Sequence, residues 1–600
     1  MIPYTRVKIA LTSMFGNISG QILLVIFACA AVVAANGIAQ SIRPSGDYWS
    51  AFTAWLLGVL ALGFALIYLP ARGHSSSLRA RMLNARVEIL LVAGLTVIAF
   101  ILRVIDLQNI PYPFAGDEGS VGTEAVRILT GQATNMFVTG WSSEPMMSFL
   151  PYAASLAVVG PNIFGLRIVA VLVGTLTIPT LYLLARSLFN EPIVAWFSAL
   201  LLAAMSPHIH FSRIAVNNIA APFFACLVFW LLSRALETRK MYWFAMAGIA
   251  AGASIYSYAG TRFVLIIAGI YLLYASATDS QIRRQWLKLA IFGLSAGVTL
   301  FPIAIYFWQH PDIAFARLNQ MGIFQNGWLA SEMLKTHESA PLIFASLLVN
   351  SFLVIISTPA VYGLWNSPRP LLDTLWAFFF IVGFIFSLSN LRERRQVLLQ
   401  LWFWSVIVVG GALIVPPPAA ARFTMVFPAI TLFSALGIWN IVSLLKQTAS
   451  LLPVAVSGLM LIIALILAGS SLNFYFVEYI PKHYYTDVNS EVGMELGKYL
   501  ATAPRDAKVY FMGEPRMFVD FPSIPYLSHG LDAMNVDSGS NVKDIVEANR
   551  EAIFVALPDH RAALDRIRTT SPNGTYSETF RRTVAGEILY LLYVVPNRPL

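Results

Sequence analysis

Residues 88–122 read EILLVAGLTVIAFILRVIDLQNIPYPFAGDEGSVG. The first half is an apolar run over 88–106, and about 20 such residues coiled as a helix cross the ~30 Å hydrocarbon layer of a bilayer. The second half breaks at once into prolines, glycines and two adjacent carboxylates, Asp117 and Glu118. A helix that ends in lipid, with acids held just beyond it, marks a membrane protein that concentrates polar groups at the bilayer surface. Adjacent carboxylates in such a place are costly unless they are hydrated, paired or used.

Runs of the same kind flank this one at 21–41, 52–70, 165–186, 193–210, 219–235, 243–258, 263–277, 288–306, 373–389, 397–415, 424–444 and 452–473. Together they predict about thirteen spans. The whole composition agrees: 57% of the 600 residues are hydrophobic and 12% are charged, against about 25% charged in soluble domains. No water-soluble interior holds so much apolar side chain, so lipid is the solvent for much of the surface. Cys29 and Cys226 both lie inside apolar runs and read as small buried hydrophobes. One further apolar stretch, 340–363, contains Asn350, Ser351, Ser357, Thr358 and Pro359, and is expected to be interfacial or re-entrant rather than spanning.

The charges set the sides. The formal net charge is +9, which in a soluble chain would suggest nucleic acid. Here the cations gather in short loops instead. With thirteen spans, every Arg-rich loop falls on one face: Arg6 and Lys8; Arg72, Arg79, Arg81 and Arg86; Arg234, Arg239 and Lys240; Arg283, Arg284 and Lys288; Arg392, Arg394 and Arg395. The positive-inside rule makes that face cytoplasmic. The outer face then receives the loops 107–164 and 307–372, tight turns around Arg213, Arg262 and Arg422, and the tail 474–600. Short β-rich runs at 508–512, 552–557 and 588–595, with helical stretches near 489–502 and 541–550, predict a small α/β domain in that tail. The expected fold class is an all-α polytopic membrane protein with a small C-terminal extracytoplasmic α/β domain. Its divisions are two extra N-terminal helices (1–87), a membrane core (88–473) and the soluble tail (474–600).

The acids and isolated outer arginines draw the attention next. Residues 121–131 have the pattern of an amphipathic helix able to lie along the interface beside Asp117 and Glu118. Ser143-Glu144-Pro145 adds an acid in the same loop. Downstream come Ser206-Pro207 with Phe211-Ser212-Arg213, Tyr256-Ser257-Tyr258 with Gly260-Thr261-Arg262, and Pro416-Pro417-Pro418 with Arg422-Phe423. An Asp-Glu pair in the first outer loop, then an acidic-Pro step, resembles the polytopic C-type glycosyltransferases. The narrower likeness is to the family 39 group, with its protein O-mannosyltransferases and lipid A aminoarabinose transferases. The likeness covers roughly 88–445. That family often has His-Pro-Pro or Glu-Lys-Pro where this chain has Ser-Glu-Pro.

The resemblance implies a sugar donor carried on polyprenyl phosphate, a protein or glycolipid acceptor, and inverting transfer on the outer face of a cell membrane. On that reading Asp117 is the general base and Glu118 orients the acceptor or the base. Glu144, Arg213, Arg262, Arg422, Tyr258 and His337 contact substrate, the arginines by gripping phosphate oxygens. Snorkelling to lipid headgroups is the competing account of any single outer arginine. The aromatic belt of membrane interfaces is likewise the competing account of Trp141, Tyr256, Tyr258 and Trp328. His208 and His210, spaced i, i+2, do not share a helix face, and are read as interfacial. No zinc motif occurs, no cofactor is assigned, and a divalent cation is compatible with these acids. Membrane lipids are the other expected partners, and nucleic acid is not one. A polytopic transporter or glycolipid flippase is the alternative reading, although no duplication of two halves is apparent. The Trp-Trp-Asp-Tyr-Gly motif of oligosaccharyltransferases is absent.

Overall fold

The computed structural model describes residues 18–43, 46–67, 78–360, 364–415, 417–418, 420–449, 453–485, 487–537 and 550–596. The cations Arg6, Lys8 and Arg72, Pro416, and nearly all of the predicted helix 541–550 lie outside them. Every predicted span falls on a helix, but not always on a full crossing. Among the described residues, nine helices are long and apolar enough to cross a membrane: Gln21–Ser41, Arg86–Val104, Ile163–Phe189, Asn217–Thr238, Ala259–Thr278, Trp286–Gln309, Arg394–Ala412, Thr424–Thr448 and Val454–Tyr479. Of the other four expected spans, 193–210, 243–258 and 373–389 fold as the shorter helices Pro192–Ala204, Met241–Ser254 and Thr374–Ser389, and 52–70 falls on Trp49–Ile67, beyond which residues 68–70 lie outside the described ones. The count of thirteen is therefore not established by length.

The shortening has local causes. The stretch 193–210 stops at Ala204, turns at Met205, and restarts as Ser206–Phe211 with Pro207 in the new first turn. Proline has no N–H for an intrahelical bond and is best accommodated in the first turn of a helix. Further along, Trp328–Thr336 and Ala340–Ile356 are apolar enough together, yet meet at 102°. The stretch 340–363 thus begins with a helix sharply bent from its predecessor.

The helices Ile18–Ser41 and Trp49–Ile67 pair with each other and lean on Met241–Ser254 and Trp286–Gln309. The Trp55 indole donates to the Thr299 carbonyl at 2.9 Å. At the other end of the hairpin, the Tyr48 N–H donates to the Thr134 hydroxyl at 3.3 Å, which in turn donates to the Gly46 carbonyl at 2.9 Å. The turn around Gly46 thus shares a face with the loop 107–164.

The last long helix ends in a π-helical turn over Phe474–Tyr479, whose Phe474, Tyr475 and Tyr479 stay in the main core. The tail then builds a five-stranded sheet from β1 (Lys508–Met512), β2 (Asp532–Asn535), β3 (Ala552–Ala556), β4 (Thr575–Phe580) and β5 (Ile588–Val595), in the order β2-β1-β3-β5-β4. β1 runs parallel to β2 and β3, whereas β5 is antiparallel to β3 and β4. Successive side chains leave opposite faces of a strand. Val509 and Phe511 accordingly pack with Val492, Leu496 and Leu500 of the helix Val488–Leu500. Tyr510 and Met512 pack with Ala563, Leu564 and Ile567 of Arg561–Thr570. The result is a sheet between two helical layers.

Candidate active site

The amphipathic helix starts five residues earlier than its pattern suggests, running Gly116–Leu129. Asp117 and Glu118 therefore occupy its first turn, where the helix dipole favours negative charge. Successive residues on a helix point about 100° apart, and here the two acids part company. Asp117 faces a cavity of about 180 Å³. Glu118 turns inward. Its oxygens accept from Arg167 Nε at 2.8 Å and Nη2 at 2.7 Å, from the Ala115 N–H at 3.2 Å and from the Ala215 N–H at 2.9 Å. Arg167 spends its third nitrogen on the Leu107 and Pro111 carbonyls. This saturated pair braces the loop and leaves Glu118 no oxygen for an acceptor, so of its two expected roles, orienting the acceptor or the base, its position is compatible with the second alone.

The cavity wall combines Asp117, Trp141, Glu144, Asn217, Asn218, Tyr258, Arg317 and Arg422 with the apolar Val121, Val216, Leu364 and Ala421. Of the expected site residues it thus joins Asp117, Glu144, Tyr258 and Arg422. Glu144 arrives on a tight hairpin. The Met146 N–H bonds the Val138 carbonyl at 2.8 Å, the Gly140 N–H bonds the Glu144 carbonyl at 2.8 Å, and Ser142 and Ser143 both take φ of 57° at the tip. The buried Glu144 carboxylate accepts the Ala259 N–H at 3.1 Å. Asn218 donates to the Tyr258 hydroxyl at 2.9 Å and to the Ala421 carbonyl at 3.0 Å, tying two walls together. Arg422 donates to the Ile414 carbonyl at 3.1 Å.

Arg317 is the residue that the sequence reading passed over. It sits on the helix Pro311–Met321 of the loop 307–372 and donates to the Ser142 hydroxyl at 2.7 Å. It is another isolated arginine in a loop expected on the outer face, so the criterion that picked out Arg422 would have found it. Arg317 also acts on three of its ionisable neighbours, in each case behind burial. Burial raises the Asp117 carboxyl above its ordinary value, Arg317 pulls it down, and the charges of Glu118 and Asp487 push it up again. Burial carries Glu144 further, to about 7, against the pull of Arg317, the Ala259 N–H and Arg262. Burial lowers Arg422 to about 10 despite the neighbouring Tyr258, with Arg317 adding repulsion. Among the described residues, Asp117 makes no hydrogen bond or ion pair, so its oxygens are left to whatever enters the cavity.

The other expected contacts lie elsewhere. Arg213 is fully buried and caps the carbonyls of Leu102 at 2.9 Å, Ile105, and Ile110 at 3.2 Å, at and just beyond the end of Leu78–Val104. A cation at a helix C-terminus meets the negative end of its dipole, and this explains an arginine outside the cytoplasmic bias without a phosphate. Arg262 donates to the Ala314 carbonyl at 3.1 Å and covers the Phe307 ring at 4.6 Å, beside the cavity but not in its wall. His337 is exposed at the C-terminal end of Trp328–Thr336 and does not reach the cavity. His208 and His210 are buried rather than interfacial: His208 Nδ1 lies 2.9 Å from Arg103 Nη2, and His210 Nε2 lies 2.8 Å from the Leu364 carbonyl. No three His, Cys, Asp or Glu side chains converge as metal ligands among the described residues.

Comparison with known proteins bears on the scaffold. Residues 143–308 match the family model of dolichyl-phosphate-mannose-protein mannosyltransferases. The crystal structure of ArnT from Cupriavidus metallidurans bound to undecaprenyl phosphate superposes with a TM-score of 0.55 at 14% identity, covering 84% of this chain and 97% of that one. The archaeal oligosaccharyltransferase AglB from Archaeoglobus fulgidus, in complex with an inhibitory peptide and a dolichol-phosphate, gives 0.50 at 13% identity, covering 74% of this chain and 64% of that one. No curated protein matches by sequence. The helical bundle and sheet-bearing tail share the fold of these solved structures, and residues 143–308 carry the family match, so the chain has the fold of the polytopic C-type glycosyltransferases.

Proposed function

We propose that the chain is a glycosyltransferase that moves one monosaccharide from a polyprenyl-phosphate donor to an acceptor hydroxyl, with inversion, on the extracytoplasmic face of a cell membrane. One observation carries the reading: two carboxylates and two guanidinium groups, Asp117, Glu144, Arg317 and Arg422, share one cavity wall. The family model matched at 143–308 and the undecaprenyl phosphate bound by ArnT support the choice of donor class.

The chemistry follows from the charges. The acceptor oxygen attacks the anomeric carbon from the face opposite the phosphate and passes its proton to Asp117, the only wall carboxylate without a protein partner among the described residues. The bond from the anomeric carbon to the phosphate oxygen breaks, its electron pair stays on the phosphate, and the polyprenyl phosphate leaves. Arg422 and Arg317 offset the charge that grows on it. Glu144, half protonated near neutrality, both accepts from and donates to sugar hydroxyls.

The test is transfer in proteoliposomes from a panel of synthetic polyprenyl-phosphate sugars carrying mannose, glucose or aminoarabinose. At least one donor should give product with inverted anomeric configuration. Failure of every donor, together with passage of the intact glycolipid across the bilayer, would replace this reading by the flippase.

A further inference from the structure

The helix that presents Asp117 carries glycine at 116, 119 and 122. Spacing of three places them on one helical face, and each glycine inside a helix costs roughly 1 kcal/mol relative to alanine. Three within seven residues make a helix that holds its shape only through what packs on it. What packs on it is the tail, at positions 521–526 far along the sequence.

The contact is backbone to backbone. A Cβ added at Gly119 would stand 2.5 Å from Pro522 C and from Ser523 N, and main chain there cannot step aside. At Gly116 it would meet the tip of the Phe521 ring at 2.8 Å, and the Cδ1 edge of the same ring packs on Gly493, where a Cβ would also lie at 2.8 Å. At Gly122 it would strike the Tyr526 ring at 2.6 Å. Polar contacts lock the same seam. Ser523 Oγ donates to the Phe114 carbonyl at 3.3 Å, the Tyr526 hydroxyl donates to the Asn162 carbonyl at 3.1 Å, and the Phe114 and Tyr526 rings stack at 5.7 Å. The Tyr112 hydroxyl lies 3.3 Å from Glu491 Oε1 and 3.2 Å from Glu495 Oε1. Glu491 is anchored in turn by Arg581 at 3.0 Å, the Arg582 N–H at 2.7 Å and the Thr583 hydroxyl at 2.8 Å, beside the sheet.

We propose that the tail is a working part of the active centre: its segment 521–528 seats the glycine face of the Gly116–Leu129 helix and thereby fixes where Asp117 points. Gly116, Gly119, Phe521 and Tyr526 are then positioning residues for the base, and the inference rests on the reading of Asp117 as that base. A catalytic group displaced by about 1 Å loses on the order of a hundredfold in rate, so the seam between tail and loop controls turnover without touching substrate.

Two variants and one rescue test it in the full-length protein. Gly119→Ala meets main chain and has no side-chain remedy. Gly116→Ala meets a ring that Phe521→Leu removes. The first measurement needs no sugar: the rate at which a water-soluble carbodiimide labels Asp117 at one fixed, mildly acidic pH, read by peptide mass spectrometry. Labelling should quicken several-fold in Gly119→Ala and Gly116→Ala, and return to the wild-type rate in Gly116→Ala/Phe521→Leu. The second is transfer from the best donor of the panel. There kcat should fall by about a hundredfold at unchanged KM, with recovery in the double variant. Wild-type labelling in both single variants would overturn the proposal, as would a double variant no better than Gly116→Ala. Should Gly119→Ala fail to fold, the Gly116 pair decides alone. Inactivity of the wild type with every donor would remove the enzymatic reading and leave the labelling result standing.

Discussion

Arg167 holds Glu118 in a two-pronged grip, Nε to Oε2 at 2.8 Å and Nη2 to Oε1 at 2.7 Å, with both side chains at 0% exposure. The pair sits directly behind Asp117 and joins the start of the Ile163–Phe189 helix to the loop that precedes the Gly116–Leu129 helix. Breaking one half of a buried ion pair costs about 3–5 kcal/mol, because the other half is left charged and unpaired. Glu118→Gln should therefore lower thermal stability sharply in detergent. Glu118→Leu/Arg167→Met, which removes both charges, should lose less. Equal melting temperatures for Glu118→Gln and wild type would contradict this account.

Asp117→Asn should reduce kcat by about 10²–10⁴, the range for loss of a general base, and leave donor binding intact. The pH dependence has a defined sign. Burial raises the Asp117 carboxyl, and the base works only when ionised. Turnover should accordingly fall on acidification at a higher pH than an ordinary aspartate would give. Because Arg317 pulls that value down, Arg317→Gln should move the acid limb further toward neutrality. A rate–pH profile that is identical for Arg317→Gln and wild type would argue against proximity of the two groups.

Glu144 links pH to stability. Its carboxyl lies at about 7 in the folded chain against an ordinary 4.5. Folding favours the neutral form, so its contribution is fully present below about 4.5 and is lost as pH rises through about 7. Glu144→Gln carries no charge at any pH. Its melting temperature relative to wild type should rise steadily between acidic and mildly alkaline conditions. A pH-independent difference would contradict burial as the dominant influence on the carboxylate.

Arg422→Ala and Arg317→Ala should each weaken binding of undecaprenyl phosphate by roughly 10- to 100-fold, the value of one charge-assisted hydrogen bond of about 1.5–3 kcal/mol. Arg213→Lys provides the contrast. Its guanidinium caps carbonyls at the end of a helix, so that substitution should cost stability and spare the affinity. Native mass spectrometry of the lipid complex separates the two behaviours.

Thr130 and Ser280 are both exposed. Single cysteines placed there should react with an impermeant maleimide from opposite sides of sealed vesicles. Reaction of both from one side would break the proposed sidedness.

The sequence made the membrane class, the acidic loop and three strands of the tail legible, because each depends on a strong local pattern. Lipid demands long apolar runs, and β1, β3 and β5 are rich in β-branched and aromatic residues. β2 reads DAMN and carries almost no such signal; it is a strand because β1 offers it a parallel partner. Four cavity residues were found from the loops they occupy. Arg213 and His337 were selected on the same topological ground, and they differ only in where the folded chain turns them. Glu118 shows the limit most clearly. Adjacent in sequence to Asp117, it faces another way because a helix rotates its neighbours apart, and its partner Arg167 lies 49 positions downstream.

The N-terminal hairpin carries a last implication. The Thr299 carbonyl lies in the middle of Trp286–Gln309 and receives both the Trp55 indole at 2.9 Å and the Tyr256 hydroxyl at 3.2 Å. The Trp55 ring also meets Tyr256 edge-on at 5.4 Å, and Tyr256 is two residues from Tyr258 in the cavity wall. Trimming the chain ahead of the third helix would thus strip a buttress rather than a mere anchor, and the slack would reach Tyr258 in the cavity wall within a single turn of backbone.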